Sequence, residues 1–155
     1  MTRVAFLGLG VMGGAMLRNL ARAGFDVAGY DVSPAARQRL ADVPCRMAGS
    51  PADAAAGAQV LITMLPTSQH VREALFGAQG AAAALPPGAV VVEMSTGDAV
   101  ETDRIAEELA ARGLRCIDAP VGRTPREAAE GKALIMAGAD ADDLARVRPL
   151  FEAMA

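Results

Sequence analysis

Aromatic side chains are scarce: they make up 3% of the 155 residues, and Trp is absent. A core must therefore be assembled from Ala, Val, Leu, Ile and Met. Histidine occurs once, at His70, and cysteine twice, at Cys45 and Cys116. With so few ligands and none clustered, the chain has no His/Cys set at metal-binding spacing. The expected state of the cysteines is two reduced, buried thiols, a disulfide between them being the alternative. A basic surplus is also missing, since the net charge is −3. That leaves no electrostatic footprint for nucleic acid or for an anionic membrane surface. No apolar run approaches the roughly 20 residues of a membrane span. Met1-Thr2-Arg3-Val4 leads directly into an apolar strand rather than through a signal peptide. The cytoplasm is the expected location.

Hydrophobic residues account for 52% and charged residues for 21% of the chain, a globular balance at a length suited to one domain. Short apolar runs alternate with longer stretches of helical period. The runs Val4–Gly8, Asp26–Tyr30, Val60–Leu65, Val90–Met94 and Leu114–Asp118 lack polar alternation, as strands buried on both faces do. Helices are expected at about 11–24, 34–42, 51–57, 68–76, 99–112 and 140–153. Ser33-Pro34, Ser50-Pro51 and Ser68 supply N-terminal signals, and Gly24, Gly57 and Gly113 fall where helices should stop. The tract Ala81–Ala84 reads as a short helix rather than a linker. Repeated strand–helix alternation with short connections predicts an α/β fold with a doubly wound, mainly parallel sheet.

Gly8-Leu9-Gly10-Val11-Met12-Gly13 is a G-x-G-x-x-G between a strand and a helix, the Rossmann arrangement for binding NAD or NADP. Gly8 makes the tight turn, Gly10 lets a pyrophosphate approach the backbone, and Gly13 lets helix and strand pack closely. Helix amides and the helix dipole then favour the phosphate charge. Asp31 ends the next strand about 20 residues on, where an acid meets the ribose hydroxyls. Such an acid favours NAD over NADP, because it accepts from the 2′-hydroxyl and repels a 2′-phosphate. The alternative for Asp31 is a solvated strand end, or a partner for the helix after Ser33. Arg37 and Arg39 read as the wet face of that helix.

Later segments extend the pattern. Phe6–Gly13, Thr63-Met64-Leu65-Pro66, Met94-Ser95-Thr96, Asp118-Ala119-Pro120-Val121 and Gly131–Gly138 together resemble the beta-hydroxyacid dehydrogenase family along essentially the whole chain. The resemblance implies that Gly8, Leu9, Gly10, Val11, Met12, Gly13, Asp31, Met64, Leu65, Pro66 and Thr96 contact the cofactor. It places Ser95, Asp118, Gly122, Arg123 and Thr124 at the substrate. Leu65, Ser95 and Asp118 each fall at the carboxyl end of a strand, where ligands bind in open parallel sheets.

Structural readings stand beside these. Ser95 and Thr96 could cap the next helix, Pro66 could simply stop a strand, and Asp118 could bind loop amides. The family's substrate loop usually continues Val-Ser-Gly-Gly, whereas this chain has Val121-Gly122-Arg123-Thr124. That departure resembles the sulfolactaldehyde reductase-type members and brings a guanidinium suited to a carboxylate or sulfonate. Arg123 could instead pair with Glu127 at i,i+4. His70, without an acidic neighbour in sequence, reads as helix surface or a second layer around the site. Lys132 reads as solvated charge, and Met12, Met64 and Met94 as walls of the cofactor crevice.

The resemblance further implies a catalytic lysine, followed by asparagines, on a helix beyond this domain. No catalytic residue is therefore expected within residues 1–155, a dinucleotide-binding domain without its helical catalytic partner. The implied activity is NAD-dependent interconversion of a small anionic β-hydroxy acid and its semialdehyde, in a homo-oligomer built through that partner domain. The alternatives are a non-catalytic dinucleotide-binding module and a 6-phosphogluconate dehydrogenase-like NADP enzyme.

Overall fold

The computed structural model describes residues 2–155. Six parallel strands form the main sheet: β1 (Arg3–Leu7), β2 (Asp26–Tyr30), β3 (Arg46–Met47), β4 (Val60–Thr63), β5 (Val90–Glu93) and β6 (Arg115–Asp118). Their spatial order is β3-β2-β1-β4-β5-β6. The winding direction reverses between β1 and β4, and this switch point is where ligands settle in such sheets. The doubly wound expectation is met. The two-residue edge strand β3 lies outside the expected strands, because two residues carry no periodicity.

The strands bury both faces, and residue parity sorts their side chains into two layers. Val4, Phe6, Val60, Ile62, Val90 and Val92 face one core with Met16, Leu17 and Leu20 of α1 (Val11–Arg22) and Val147 and Leu150 of α7 (Ala141–Met154). Ala5, Leu7, Leu61 and Val91 face the other. There they meet α3 (Pro51–Ala55), α4 (Ser68–Phe76) and α5 (Ala99–Ala111). Both layers are built mainly from Ala, Leu and Val with some Ile and Met, and Phe6 is the one fully buried aromatic side chain among the described residues.

Capping follows the sequence at most ends. Ser33 accepts from Ala36 N to start α2 (Pro34–Gln38), and Ser50 from Asp53 N to start α3. At α4 the cap is Thr67, accepting from His70 N, and Ser68 is already helical. Asp98, rather than Ser95 or Thr96, caps α5. Gly24, Gly57 and Gly113 follow α1, α3 and α5 with positive φ, as expected. The tract near residue 82 is a 3₁₀ turn at Ala82–Ala84.

Beyond β6 the chain forms a small antiparallel pair, β7 (Val121–Gly122) and β8 (Leu134–Ile135), around α6 (Pro125–Ala129). α6 was not expected as a helix, and β8 covers only the centre of the Gly131–Gly138 strand expectation. Asn19 Nδ2 of α1 donates to the Ala128 carbonyl at 2.7 Å, tying this unit to the main domain. Both cysteines are free and half-buried, not fully buried. They pack on opposite faces of the sheet, Cys45 with one core and Cys116 with the other, so no disulfide joins them. Burial, helped by the nearby Glu93 and Asp118 charges, pushes the Cys116 thiol up to about 12. Among the described residues no helix is long and apolar enough to cross a membrane, and no acidic, His or Cys group could hold a metal ion.

Candidate functional site

The chain leaves β1 at Leu7 and turns through Gly8, whose φ is +101° and whose amide donates to the Tyr30 carbonyl at 3.0 Å. A Cβ on Gly8 would overlap the Met64 carbonyl, and one on Gly13 would overlap the Gly8 carbonyl. These two glycines are thus required by the backbone itself. Gly10 differs: nothing lies within 4 Å of a Cβ there, and its backbone is extended (φ −64°, ψ −170°). Only a ligand would demand glycine at that position.

Gly10 is also the N-cap of α1, and it supplies no side-chain cap. α2 through α6 are each capped by a Ser, Thr or Asp side chain. The leading amides of α1 are therefore left to an external acceptor at the positive end of a 12-residue helix. Asp31 closes the loop from β2. Its Oδ2 accepts from Leu9 N at 2.7 Å and its Oδ1 from Ser33 N at 2.8 Å. The acid thus braces the glycine loop as well as starting the α2 turn.

A cleft of about 460 Å³ opens beside this loop, walled by Gly8, Tyr30, Asp31, Leu65, Pro66, His70 and Gln79 among others. Gly8, Asp31, Leu65 and Pro66, which the sequence placed at the cofactor, come together here. Tyr30, Val32 and Gln79 were missed, and exposed Val32 offered only its position after Asp31 as a signal. His70 is exposed on α4 with Nδ1 2.6 Å from Thr67 Oγ1, so the helix-surface reading holds, now at the cleft wall. Val11 projects outward at 70% exposure, and Met12 and Met64 are partly buried. Met94 is buried in the core and is not a crevice wall.

At the ends of β4 and β5 lies a buried polar cluster that the sequence reading overlooked. Thr63 and Glu93 are register partners, so their side chains share one face. Thr63 Oγ1 donates to Glu93 Oε1 at 3.0 Å, and Ser95 N donates to the same oxygen at 2.7 Å. Ser95 Oγ accepts from Leu65 N at 2.8 Å. Glu93 is 1% exposed. Burial pushes its carboxyl above the usual range against the pull of the Ser95 and Thr63 hydrogen bonds, with the Asp118 charge pushing further. A glutamate closing the run Val-Val-Val-Glu was the available signal. Ser95 is itself buried and engaged with Leu65, whereas Thr96 is exposed.

Asp118 ends β6 as an exposed carboxylate, drawn upward by partial burial and by the Asp103 charge. Gly122, Arg123 and Thr124 follow on β7 and the turn into α6, and none of them lines the cleft. Thr124 caps α6, accepting from Glu127 N and donating to Glu127 Oε1 at 3.1 Å. Arg123 has φ +72°, the one non-glycine residue in that region among the described residues. Its guanidinium is 3.6 Å from Glu127, the i,i+4 pair anticipated from spacing, and half-exposed. Lys132 is solvated and 3.4 Å from Glu130.

A family model described as the NAD binding domain of 6-phosphogluconate dehydrogenase matches residues 3–155. The 3-sulfolactaldehyde reductase of Escherichia coli K12 is 39% identical over 154 residues, 99% of this chain and 52% of that protein. The NAD-dependent L-serine dehydrogenase of Pseudomonas aeruginosa is 40% identical over the same shares. The solved structure of Mycobacterium tuberculosis 3-hydroxyisobutyrate dehydrogenase with L-serine superposes with a TM-score of 0.95 at 36% identity, covering 100% of this chain and 52% of that one. The chain thus spans about half the length of the curated relatives it matches.

Proposed function

Because the chain belongs to the family of the NAD binding domain of 6-phosphogluconate dehydrogenase, we propose that it is the NAD-holding half of a cytoplasmic enzyme interconverting a small anionic β-hydroxy acid and its semialdehyde. The observation that carries the cofactor reading is the uncapped N-terminus of α1 beside the Asp31 cleft. Gly8, Leu9, Gly10, Val11, Met12 and Gly13 offer the pyrophosphate loop. Asp31 receives the adenosine ribose, and Met64, Leu65, Pro66 and Thr96 flank the rest of the dinucleotide. Bound NAD supplies the hydride acceptor; the protein supplies orientation and charge. Asp118, Gly122, Arg123 and Thr124 face the substrate. The proton-transfer lysine belongs to a helical domain beyond Ala155, through which the protein forms a homo-oligomer.

Calorimetric titration of the chain with NADH and NADPH tests the cofactor reading. NADH should bind about tenfold more tightly or better, the value of one charge-assisted hydrogen bond. Asp31→Asn should narrow that gap by removing the charge that repels a 2′-phosphate. Asp31→Ala should weaken both cofactors, because it also releases the Leu9 amide. Tighter NADPH binding by the unmutated chain would overturn the NAD assignment.

Arg123 carries the substrate reading. Holding a non-glycine residue at φ +72° costs roughly 1–2 kcal/mol, and the exposed Glu127 pair returns little of it. A cost accepted at a strand end points to a ligand. Arg123→Gly should therefore melt at or above the unmutated chain, whereas Arg123→Ala keeps the strain and melts lower. In the protein carrying its catalytic domain, both should raise KM for the acid about tenfold or more and leave NAD affinity unchanged. Normal substrate kinetics in both would return Arg123 to the solvated surface.

A further inference from the structure

We propose that Glu93 is a positioning residue for the nicotinamide half of the dinucleotide, its buried carboxyl fastening the loops that leave β4 and β5 into one unit. The inference rests on the NAD reading above. One oxygen, Oε1, accepts from the Thr63 hydroxyl at the end of β4 and from the Ser95 amide just past β5. Ser95 Oγ then accepts from Leu65 N, returning the connection to the β4 loop. Four residues, two at strand ends and two in the loops that follow, thus form one continuous hydrogen-bonded strap.

Stability alone does not call for such a cluster. The same face of the sheet is otherwise filled by Leu61, Val91 and Leu7, and apolar residues at 63 and 93 would complete it without desolvating a carboxyl. What the polar cluster adds is a fixed relation between two loops. Their position says which part of the ligand benefits. Asp31 holds the adenosine end over β2, and the pyrophosphate sits at α1, next to β1. The second nucleoside must then cross the switch point to the carboxyl ends of β4 and β5. Leu65, Pro66 and Thr96 lie there, and the Glu93 strap sets their spacing. Ser95 is accordingly a strut of this device rather than a substrate ligand.

The test compares NADH with ADP-ribose, which keeps the adenosine and both phosphates but lacks nicotinamide. In Glu93→Ala, NADH should bind about tenfold more weakly, while ADP-ribose stays within about twofold of the unmutated chain. Glu93→Gln should restore NADH to within about threefold, because its amide oxygen accepts the same two bonds. A mere loss of stability would weaken both ligands together, and that equal loss would overturn the inference. So would unchanged NADH binding in Glu93→Ala, or a Gln variant as weak as the Ala variant. If Glu93→Ala fails to fold, Ser95→Ala removes only the Leu65 acceptor and must show the same NADH-selective loss; without it the inference falls. An unmutated chain that binds neither ligand defeats the NAD reading itself, whereas normal binding of both by it and by Glu93→Ala defeats only the role of Glu93.

Discussion

Gly10→Val should fold with a melting temperature close to that of the unmutated chain and bind NAD at least about a hundredfold more weakly. The fold tolerates the change because Gly10 has an extended backbone that valine adopts readily, with open space around its Cβ position. Binding should not tolerate it, because in the proposed loop that space is left for the pyrophosphate at the leading amides of α1. Displacing the phosphates forfeits at least two charge-assisted hydrogen bonds, roughly 3 kcal/mol or more, which is over a hundredfold in affinity. Circular dichroism melting and calorimetric titration on the same sample check both halves. Unchanged NAD affinity in a folded variant would reduce the loop to a packing turn.

Gly8→Ala should do the reverse and damage the fold itself. The residue has φ +101°, and its Cβ would strike the Met64 carbonyl. Both obstacles are backbone, so no side chain can rotate away to relieve them. Backbone strain of roughly 1–2 kcal/mol and overpacking of roughly 1–3 kcal/mol together predict a loss of about 2–5 kcal/mol. For a chain of this size that lowers the melting temperature by about 10 °C. A ligand-free thermal melt decides it, and a shift under about 2 °C would mean that the β1 turn and the β4 loop do not approach this closely.

The contrast between these two glycines bears on what a sequence discloses. G-x-G-x-x-G announces a phosphate loop through its spacing, and the apolar runs announced five of the six main strands because buried strands lose their polar alternation. β3 escaped notice for lack of length, since two residues carry no period, whereas α6 opens with Thr124-Pro125, a start like those of the equally short α2 and α3, at a residue assigned to the substrate instead. At the site, Asp31 was legible as an acid at a strand end, but its bond to Leu9 N depends on how β2 lies against the loop. Glu93 was hidden for a different reason. It sits within a run that reads as core, and only its register pairing with Thr63 shows that the two polar groups satisfy each other. The resemblance put Ser95 at the substrate through the Met94-Ser95-Thr96 segment, yet its side chain is buried and accepts from Leu65 N.

The absence of a side-chain cap on α1 reaches into solution behaviour. With no Ser, Thr or Asp of its own at that end, the helix offers its amides to any oxyanion present. Inorganic phosphate and sulfate should therefore compete with the dinucleotide for the donors proposed to hold it. Apparent affinity then depends on the buffer ion, and a phosphate-buffered titration would understate how well the chain holds its cofactor. The same ions should raise the thermal stability of the free chain, with the logarithm of their concentration once it exceeds their Kd. Part of the stabilisation expected from NAD is thereby already present before any is added.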